Sequence, residues 1–516
     1  MTKSSRYMRD GAWLIATRLL TLVIGMAGLP VLMSSLGSLQ FGAWAVLLGG
    51  TFAFGTLELG LSSAVMRWAT LAEAEHRGAD TLSVSAVMSN ALACSVSVFA
   101  LGGFLIGAVA EPLARWLNLP DTPLLTPGQC ILLVYGCVGI IALLRLVIAL
   151  MFAYRRFRPY AVVTVGQAVA AAAATWSVAI SSGRLDLVLI ANAIAIIGVQ
   201  FFAAIWFSRQ HPWRFSRGSL SPKTMWAMLR HGAALQFSDL STFVMFQFDK
   251  LLIAAMVTPA EVAHYEVASR ATQALGSLPS TSFKVVVPDL IDHFGRGGPP
   301  QEQLVSLLRF TLLGTAVFLL LPIAVAPIGL FAWVGQVGYH AAGVFLLLAL
   351  AITSNVLVMP FNIYLQAVGR VELELRRAMT AAAANIPLSV LLIGHLGKEG
   401  AALGTLIACL GANLLFAIGF QRNFKVPLNQ MVRGTASIAW PIACTVGLIG
   451  CAAWLIEPLV ITSRWRMAPA AAGLYACGLV LLATLLMRTG ALTARERERL
   501  LSVPGLSAVL RRLQRG

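Results

Sequence analysis

Nine ionisable side chains lie deep inside the long apolar segments of this sequence, where a charge is expensive. Five are cationic and four are anionic: Arg18, Arg145, Lys250, Arg270 and Lys284, and Glu58, Asp239, Asp249 and Glu266. Placing such a group at the depth of a bilayer costs about 2.5–3.5 kcal/mol on insertion scales, so each one indicates a partner or a function. These residue types can form ion pairs that hold helices together, or they can line a water-filled cavity. The sequence leaves both interpretations open.

The charges are densest in two consecutive segments joined by a predicted turn near residues 257–260. Residues equidistant from that turn lie at similar depth, which pairs Lys250 with Glu266 and places Asp249 at the level of Arg270 or its neighbours. Asp249 and Lys250 point about 100° apart on a helix, so one partner cannot serve both. Glu266 and Arg270 are four residues apart and share one helix face. We therefore predict an ion pair between the two helices, either as a fixed link or as a pairing that changes with conformation.

Some of these residues differ in how easily they reach water. Arg18 and Arg145 lie about two turns from the inner ends of their segments, so their long side chains could extend to the membrane surface instead of lining a cavity. Arg309 is also close to an inner end, and extension toward water explains it adequately. Glu58 lies near the middle of the second segment, where its short side chain makes that explanation weaker.

The composition indicates which elements must position these charges. Of 516 residues, 58% are hydrophobic and 11% are charged, and the mean hydropathy is +0.81. A soluble domain carries about 25% charged residues, so the composition excludes a soluble enzyme and a disordered chain. It predicts an all-α polytopic membrane protein, because each helical span needs about 20 apolar residues.

Apolar segments long enough for fourteen predicted transmembrane helices occur along the chain. They cover residues 12–35, 41–67, 83–110, 129–153, 160–182, 186–208, 231–256, 261–288, 303–330, 342–368, 378–396, 400–420, 436–456 and 469–488. Of the 38 Lys and Arg residues, 27 lie in the predicted cytoplasmic segments and 5 in the outer loops. The positive-inside rule then places both termini in the cytoplasm. It also accounts for most of the net charge of +17, so no nucleic-acid partner is expected.

A weak internal repeat predicts the domain organisation. At an offset of 221 residues, Gly11-Ala12 aligns with Gly232-Ala233, and Trp44 aligns with Tyr265. Six segments separate the two copies, and an even number preserves orientation, so the halves would be parallel repeats. The predicted parts are a six-helix bundle at 1–208, a cytoplasmic linker at 209–230, a second six-helix bundle at 231–422, two additional helices at 436–488 and a basic cytoplasmic tail at 489–516.

The loops and cysteines give no sign of catalytic or metal chemistry. The longest predicted outer loop covers only residues 111–128, which leaves no room for an extracytoplasmic catalytic domain. The seven cysteines lie in or beside apolar segments, without CxxC spacing and without clustered histidines. Such cysteines are typical packing residues. We therefore expect a protein that is not an enzyme and has no catalytic residues, metal or cofactor.

Three groups of residues resemble one known family in their order and spacing. The first comprises Leu36-Gly37, Phe41-Gly42-Ala43-Trp44, Leu57-Glu58-Leu59-Gly60-Leu61-Ser62-Ser63-Ala64 and Arg67. The second comprises Phe248-Asp249-Lys250-Leu251-Leu252-Ile253, Glu261 and Tyr265. The third comprises Pro279, Pro288, Trp333-Val334-Gly335 and Gly369-Arg370. Together they resemble the polysaccharide transporters of the MOP superfamily, specifically the Wzx-type flippases, with Glu58 standing where we would expect an Asp.

The resemblance implies a V-shaped pair of six-helix bundles around a cationic cavity, with two further helices. It also implies alternating access for undecaprenyl-pyrophosphate-linked oligosaccharide repeat units of O-antigen or exopolysaccharide. Arginine makes charge-assisted contacts to phosphate oxygens. The expected headgroup contacts are Arg18, Arg145, Arg270 and Lys284. The expected charge-balancing or ion-coupling residues are Glu58, Asp239, Asp249, Lys250 and Glu266, and one of these carboxylates would carry a coupling H⁺ or Na⁺.

Several alternatives remain open at this stage. A lipid II flippase or a multidrug antiporter belongs to the same superfamily, and an excess of one deep cation favours an anionic substrate only modestly. A polytopic O-antigen polymerase or ligase would need catalytic groups in a larger outer loop. A structural membrane scaffold would not need so many buried charges. The resemblance further implies a bacterial inner membrane, contact with membrane lipid, and the polymerase and chain-length regulator of the same pathway as partners.

Overall fold

The computed structural model describes residues 3–74, 83–284, 300–368, 370, 372–424, 428–460 and 464–492. Regular secondary structure within these ranges is entirely helical, without a β-strand. The predicted all-α class is therefore confirmed. The chain divides into two compact units, an N-terminal unit of residues 1–266 and a C-terminal unit of residues 267–516.

Long helices that follow one another along the chain build the N-terminal unit. In order they are α1 (Lys3–Gly55), α2 (Leu61–Ala74), α3 (Val84–Trp116), α4 (Pro127–Ala153), α5 (Phe157–Ser182), α6 (Leu185–Gln210), α7 (Pro222–Phe243), α8 (Asp249–Met256) and the first part of α9 (Pro259–Lys284). A 3₁₀ turn at Thr56–Glu58 follows α1, and a π-helical turn at Val244–Phe248 joins α7 to α8. A buried apolar cluster that includes Leu61, Leu150 and Phe207 packs α2, α4 and α6 together.

The rest of α9 begins the C-terminal unit. The described helices that follow are α10 (Pro300–Thr315), α11 (Leu321–Ala324), α12 (Ala326–Val334), α13 (Gln336–His340), α14 (Ala342–Ala367), α15 (Glu372–Phe424), α16 (Leu428–Val460) and α17 (Arg464–Arg488). A π-helical turn at Ala316–Leu320 joins α10 to α11. One buried cluster packs Val358 of α14 against Phe416 of α15, and another packs Ile438 of α16 against Leu482 of α17.

Local sequence explains several helix ends. The start of α4 is a capping box, in which the Thr126 hydroxyl accepts from the Gln129 amide N–H at 3.2 Å. The Gln129 side chain in return accepts from the Thr126 amide N–H at 2.9 Å. Pro127 takes the first helical position, where its missing N–H costs no hydrogen bond. The end of α5 is Gly183, whose left-handed φ of 61° stops the helix.

Two helices of 53 residues are each interrupted by a glycine with a non-helical backbone. Gly37 in α1 has φ 73° and ψ 171°, and Gly397 in α15 has φ 59° and ψ −135°. After Gly397 the chain folds back, because a Cβ built on Gly404 would lie 2.9 Å from the backbone N of Ser389. Fifteen residues of straight helix would hold these positions about 22 Å apart. The two halves of α15 therefore pack against each other as antiparallel helices.

Ten helical stretches in the described ranges are long and apolar enough to cross a membrane. Two of them contain the interruptions at Gly37 and Gly397. The predicted segments 231–256 and 261–288 also form helix wherever they are described, but they are not among these ten stretches. The multi-pass prediction is confirmed. The total of fourteen spans, the orientation and the bundle boundaries remain predictions, and the tail from residue 493 lies outside the described residues.

Replacing Gly397 tests whether the turn inside α15 depends on glycine. A Cβ at this position meets no atom within 4 Å, so Gly397→Ala carries a purely conformational cost. A side chain in such a glycine-specific backbone region costs about 1–3 kcal/mol, and we expect a lower unfolding temperature of the detergent-purified protein. The matched control is Gly394→Ala, in helix and also in open space, which should be neutral or stabilising. Equal unfolding temperatures for the two variants would contradict the turn.

Candidate functional site

A break interrupts the second apolar segment, residues 41–67, within the N-terminal unit. The helix ends at Glu58, and the next two residues, Leu59 and Gly60, have left-handed φ angles of 52° and 66°. The sequence predicts one uninterrupted segment here, but two successive left-handed residues cannot continue a right-handed helix. A Cβ on Gly60 would lie 2.7 Å from the Cα of Gly232. Glycine therefore allows α7 to approach the break closely.

Glu58 joins the two sides of this break. Its side chain is buried, and its Oε1 accepts hydrogen bonds from the Ser62 amide N–H at 3.1 Å and from the Ser62 hydroxyl. Ser62 lies in the first turn of α2, where the backbone N–H groups lack helical acceptors and carry the positive end of the helix dipole. The carboxylate supplies the missing acceptor. Its second oxygen, Oε2, lies 3.9 Å from a guanidinium nitrogen of Arg145.

Arg145 combines an accessible side chain with an inward direction. Its side chain is 55% exposed, although the residue lies within the membrane-spanning helix α4. Leu132 and Ile140 belong to the exposed apolar stripe of that helix. At 100° per residue around the helix axis, Arg145 points about 140° to one side of Leu132 and about 140° to the other side of Ile140. It therefore lies on the helix face opposite the middle of the stripe. Its guanidinium is therefore accessible on the side of α4 that faces away from lipid.

A second charged cluster lies at the hairpin of α8 and α9. The Lys250 ammonium donates to the Glu266 carboxylate and to the Gln247 side-chain oxygen, the latter at 2.6 Å. The Tyr265 hydroxyl donates to the Asp249 carboxylate at 2.9 Å. The Lys250 and Glu266 side chains are only 5% and 1% exposed. The predicted pairing of Lys250 with Glu266 is confirmed, and in this structure the pair is enclosed by protein.

The other predicted site residues are placed by their helices. Arg18 lies in α1, Asp239 in α7, and Lys284 at the end of α9, and their side chains lie outside the described residues. Arg270 lies in α9, is half-buried, and belongs to the C-terminal unit. The roles of all nine residues in ligand binding or ion coupling stay predictions.

Arg309 does not extend toward water, so the sequence-based explanation of this residue is wrong. It is 7% exposed, and its guanidinium donates to the Gly434 carbonyl at 2.7 Å, the Ser437 hydroxyl at 2.9 Å and the Ala491 carbonyl. The residues that bind it belong to α16 and to the segment after α17. Acceptors from distant parts of the chain thus replace water.

Ser62 and Gln247 bind the charged residues Glu58 and Lys250, but the sequence does not single them out. Both side chains are neutral, so the rule that a buried charge indicates a partner or a function does not apply to them.

The arrangement around Arg145 can bind an anion. An accessible guanidinium donates two parallel hydrogen bonds to a phosphate or carboxylate group, and the Glu58 carboxylate keeps it oriented. In the described ranges, no group of three or more His, Cys, Asp or Glu side chains is placed to hold a metal ion. None of the seven cysteines, all of which lie in the described ranges, forms a disulfide.

A family model described as "Polysaccharide biosynthesis protein" matches residues 7–292, which is more than half of the chain. The chain belongs to this family. The matched region contains the break after Glu58, Arg145 and the Lys250–Glu266 pair. A search by sequence among curated proteins found no match.

Solved structures of transporters share the fold of this family member. "Lipid II flippase MurJ, inward closed conformation" aligns with a TM-score of 0.71 at 13% identity, over 93% of this chain and 99% of its own. A multidrug resistance MATE family transporter of the MOP superfamily, in an inward-facing conformation, aligns with a TM-score of 0.52 at 15% identity, over 78% and 94%. The polysaccharide family member thus has the fold of these transporters. The family match confirms that its motifs resemble those of polysaccharide biosynthesis proteins.

A double-mutant cycle tests the enclosed ion pair of this polysaccharide family member. Removing one partner of a buried pair leaves an uncompensated charge, so Lys250→Met and Glu266→Gln should each cost about 3–5 kcal/mol of stability. The double variant should lose clearly less than the sum, because the two residues are in direct contact. Unfolding of the detergent-purified protein measures the three losses.

The matched control is the exposed pair of Glu111 and Arg115, whose side chains are 45% and 80% exposed. The control variant is Arg115→Ala, which should change stability little because solvent screens such pairs. Glu111 is kept because its carboxylate also accepts from the Gly128 amide N–H at 3.1 Å. Strictly additive losses for Lys250→Met and Glu266→Gln would contradict a direct pairing.

Proposed function

We propose that this protein is a flippase that moves undecaprenyl-pyrophosphate-linked oligosaccharide repeat units across the bacterial inner membrane by alternating access. The family match and the MurJ-like fold over 93% of the chain support a transporter of lipid-linked headgroups. Arg145 carries the proposal, since it is an accessible cation on the side of a membrane helix that faces away from lipid. The lipid tail would remain in the bilayer, so only the headgroup needs a polar path.

The diphosphate of the headgroup would bind Arg145. A diphosphate carries several acceptor oxygens and at least two negative charges, which suit the fixed donor geometry of a guanidinium. It would compete with Glu58, whose Oε2 lies 3.9 Å from Arg145. Glu58 is also bound to Ser62 in α2, so this competition would connect headgroup binding to the position of α2 across the break. A ligand shifts a conformational equilibrium through such differential contacts.

Ion coupling and further contacts complete the proposal. Glu58 is our first candidate for a coupling H⁺ or Na⁺, because headgroup binding would release its carboxylate from Arg145. Arg18, Arg270 and Lys284 would add contacts to the headgroup. No covalent step is proposed, and the polymerase and chain-length regulator of the same pathway are the proposed partners.

A lipid II flippase is the second candidate. The similarity to MurJ covers 93% of this chain, whereas the family model ends at residue 292. Lipid II also carries a diphosphate, so Arg145 suits either substrate. The two candidates therefore differ in the sugar part of the headgroup.

Complementation tests the proposal. The host lacks its own O-antigen flippase and receives the cognate glycosyltransferases, and we expect the wild type to restore surface polysaccharide on a gel. Arg145→Ala should lower the yield about 10–100-fold at equal abundance on a blot, since a charge-assisted hydrogen bond contributes about 1.5–3 kcal/mol. Arg145→Lys should be intermediate, because it keeps the charge and loses the bidentate geometry.

The matched control is Arg115→Ala, an arginine on α3 with 80% of its side chain exposed, which should match the wild type. If the wild type instead rescues loss of the lipid II flippase and not of the O-antigen flippase, the second candidate is correct. If Arg145→Ala is as active as the wild type, the diphosphate does not bind at Arg145.

A further inference from the structure

An amide-rich cluster lies in the C-terminal unit, between α14 and the two halves of α15. The Arg377 guanidinium donates from one nitrogen to the side-chain oxygens of Asn355 and Asn413, at 3.1 Å each. The Asn413 amide donates to the Ser354 hydroxyl at 3.0 Å and to Asn355 at 3.2 Å. From the sequence alone, Arg377 belongs to the cytoplasmic cations. The structure places it among side-chain amides from α14 and from the second half of α15.

Two buried atoms of this cluster have no hydrogen-bond partner, namely Nε of Arg377 and Oδ1 of Asn362. The Asn362 side-chain amide donates to the Glu374 carboxylate at 3.0 Å. Glu374 lies one helical turn before Arg377, so this bond connects Asn362 to the cluster. Leaving a polar atom buried and unpaired costs about 1–3 kcal/mol. One unpaired donor and one unpaired acceptor together match a hydroxyl group, which both donates and accepts.

The cluster lies on helix faces directed away from lipid. In α15, Arg377 points about 160° from the exposed Leu375 and about 160° from the exposed Met379, in opposite senses. In α14, Asn355 points about 140° from the exposed Leu350. The residues that carry the amides and the guanidinium are half-buried, whereas Nε of Arg377 and Oδ1 of Asn362 are themselves enclosed, so a ligand reaches these two atoms only when neighbouring side chains move.

The chemistry of the cluster favours an uncharged, hydroxyl-rich ligand. Glu374 balances the charge of Arg377, which leaves the side-chain amides as the dominant groups. Aromatic residues lie close to them in sequence: Phe361 precedes Asn362, and its ring centroid lies 6.3 Å from that of Phe416, three residues after Asn413. Ligand sites combine apolar and aromatic walls with a few convergent polar groups in this way.

We infer that this cluster binds sugar residues of the transported headgroup, an inference that rests on the proposed flippase function. Nε of Arg377 donates to a sugar hydroxyl, and Oδ1 of Asn362 accepts from one. The cluster thereby supplies selectivity for the carbohydrate part of the ligand, whereas Arg145 binds its diphosphate. A site built to bind hydroxyls discriminates against a ligand that lacks them, because its polar groups are then left unpaired.

Two probes separate these roles in the full-length protein reconstituted in lipid nanodiscs. One probe is undecaprenyl pyrophosphate, and the other is the same lipid carrying the repeat unit assembled by the glycosyltransferases of the source strain. Affinities for both are measured by thermophoresis. We expect the wild type to bind the sugar-bearing probe more tightly, and Arg377→Met and Asn362→Leu to reduce that affinity about tenfold without changing affinity for the bare lipid.

Matched variants keep the result interpretable. Arg376→Ala removes an exposed cation next to Arg377 and should leave both affinities unchanged. Asn362→Leu keeps the bonds from Arg377 to the two asparagines, so it decides the question if Arg377→Met does not fold. A wild type that binds neither probe overturns the flippase function and this inference with it. A wild type without preference for sugar, or variants that retain the preference or lose both affinities equally, overturn the sugar site alone.

Discussion

Hydrocarbon offers no partner to a charge or to a free peptide group, and this constraint governs where the polar atoms of the chain lie. Lys250 satisfies this constraint by pairing with Glu266, across the tight turn between α8 and α9, and by donating to Gln247. Arg309 meets it with backbone carbonyls and a hydroxyl from segments far along the chain. Both solutions tie together specific helices. Apolar contacts do this less specifically in a membrane, where lipid tails are as apolar as leucine.

The break after Glu58 obeys the same constraint and uses it differently. The helix break inside the unit leaves the first backbone N–H groups of α2 without helical acceptors. Glu58 accepts a hydrogen bond from one of them, the Ser62 amide N–H. The same carboxylate also faces Arg145, so it contacts a backbone N–H group and an accessible charge at once. A carboxylate with two partners can lose its contact with one of them while its contact with the other remains. Under the proposed function, such a junction would respond to a ligand without unfolding the helix that carries it.

Hydropathy over about 20 residues is a strong signal, so the helical multi-pass class is predictable from the sequence. The pairing of Lys250 with Glu266 is predictable too, because a short turn places residues equidistant from it at one depth. The break at Leu59 is not, since hydropathy contains no information about a left-handed backbone at leucine. The partners of Arg309 lie as far as 182 positions away, so sequence proximity gives no indication of its burial.

Arg145 and Arg377 both lie opposite exposed apolar stripes, yet their surroundings suit different ligands. Arg145 has one carboxylate neighbour and an accessible guanidinium, which leaves donors for an anion. Arg377 is held by neutral amides and balanced by Glu374, and its Nε stays unpaired and buried. A buried donor without a partner costs free energy, and a ligand hydroxyl that accepts from Nε would offset this cost only while the ligand is bound. Since a ligand that binds the folded state stabilises it, a sugar bound at the proposed site would stabilise the C-terminal unit through the same contacts that recognise it.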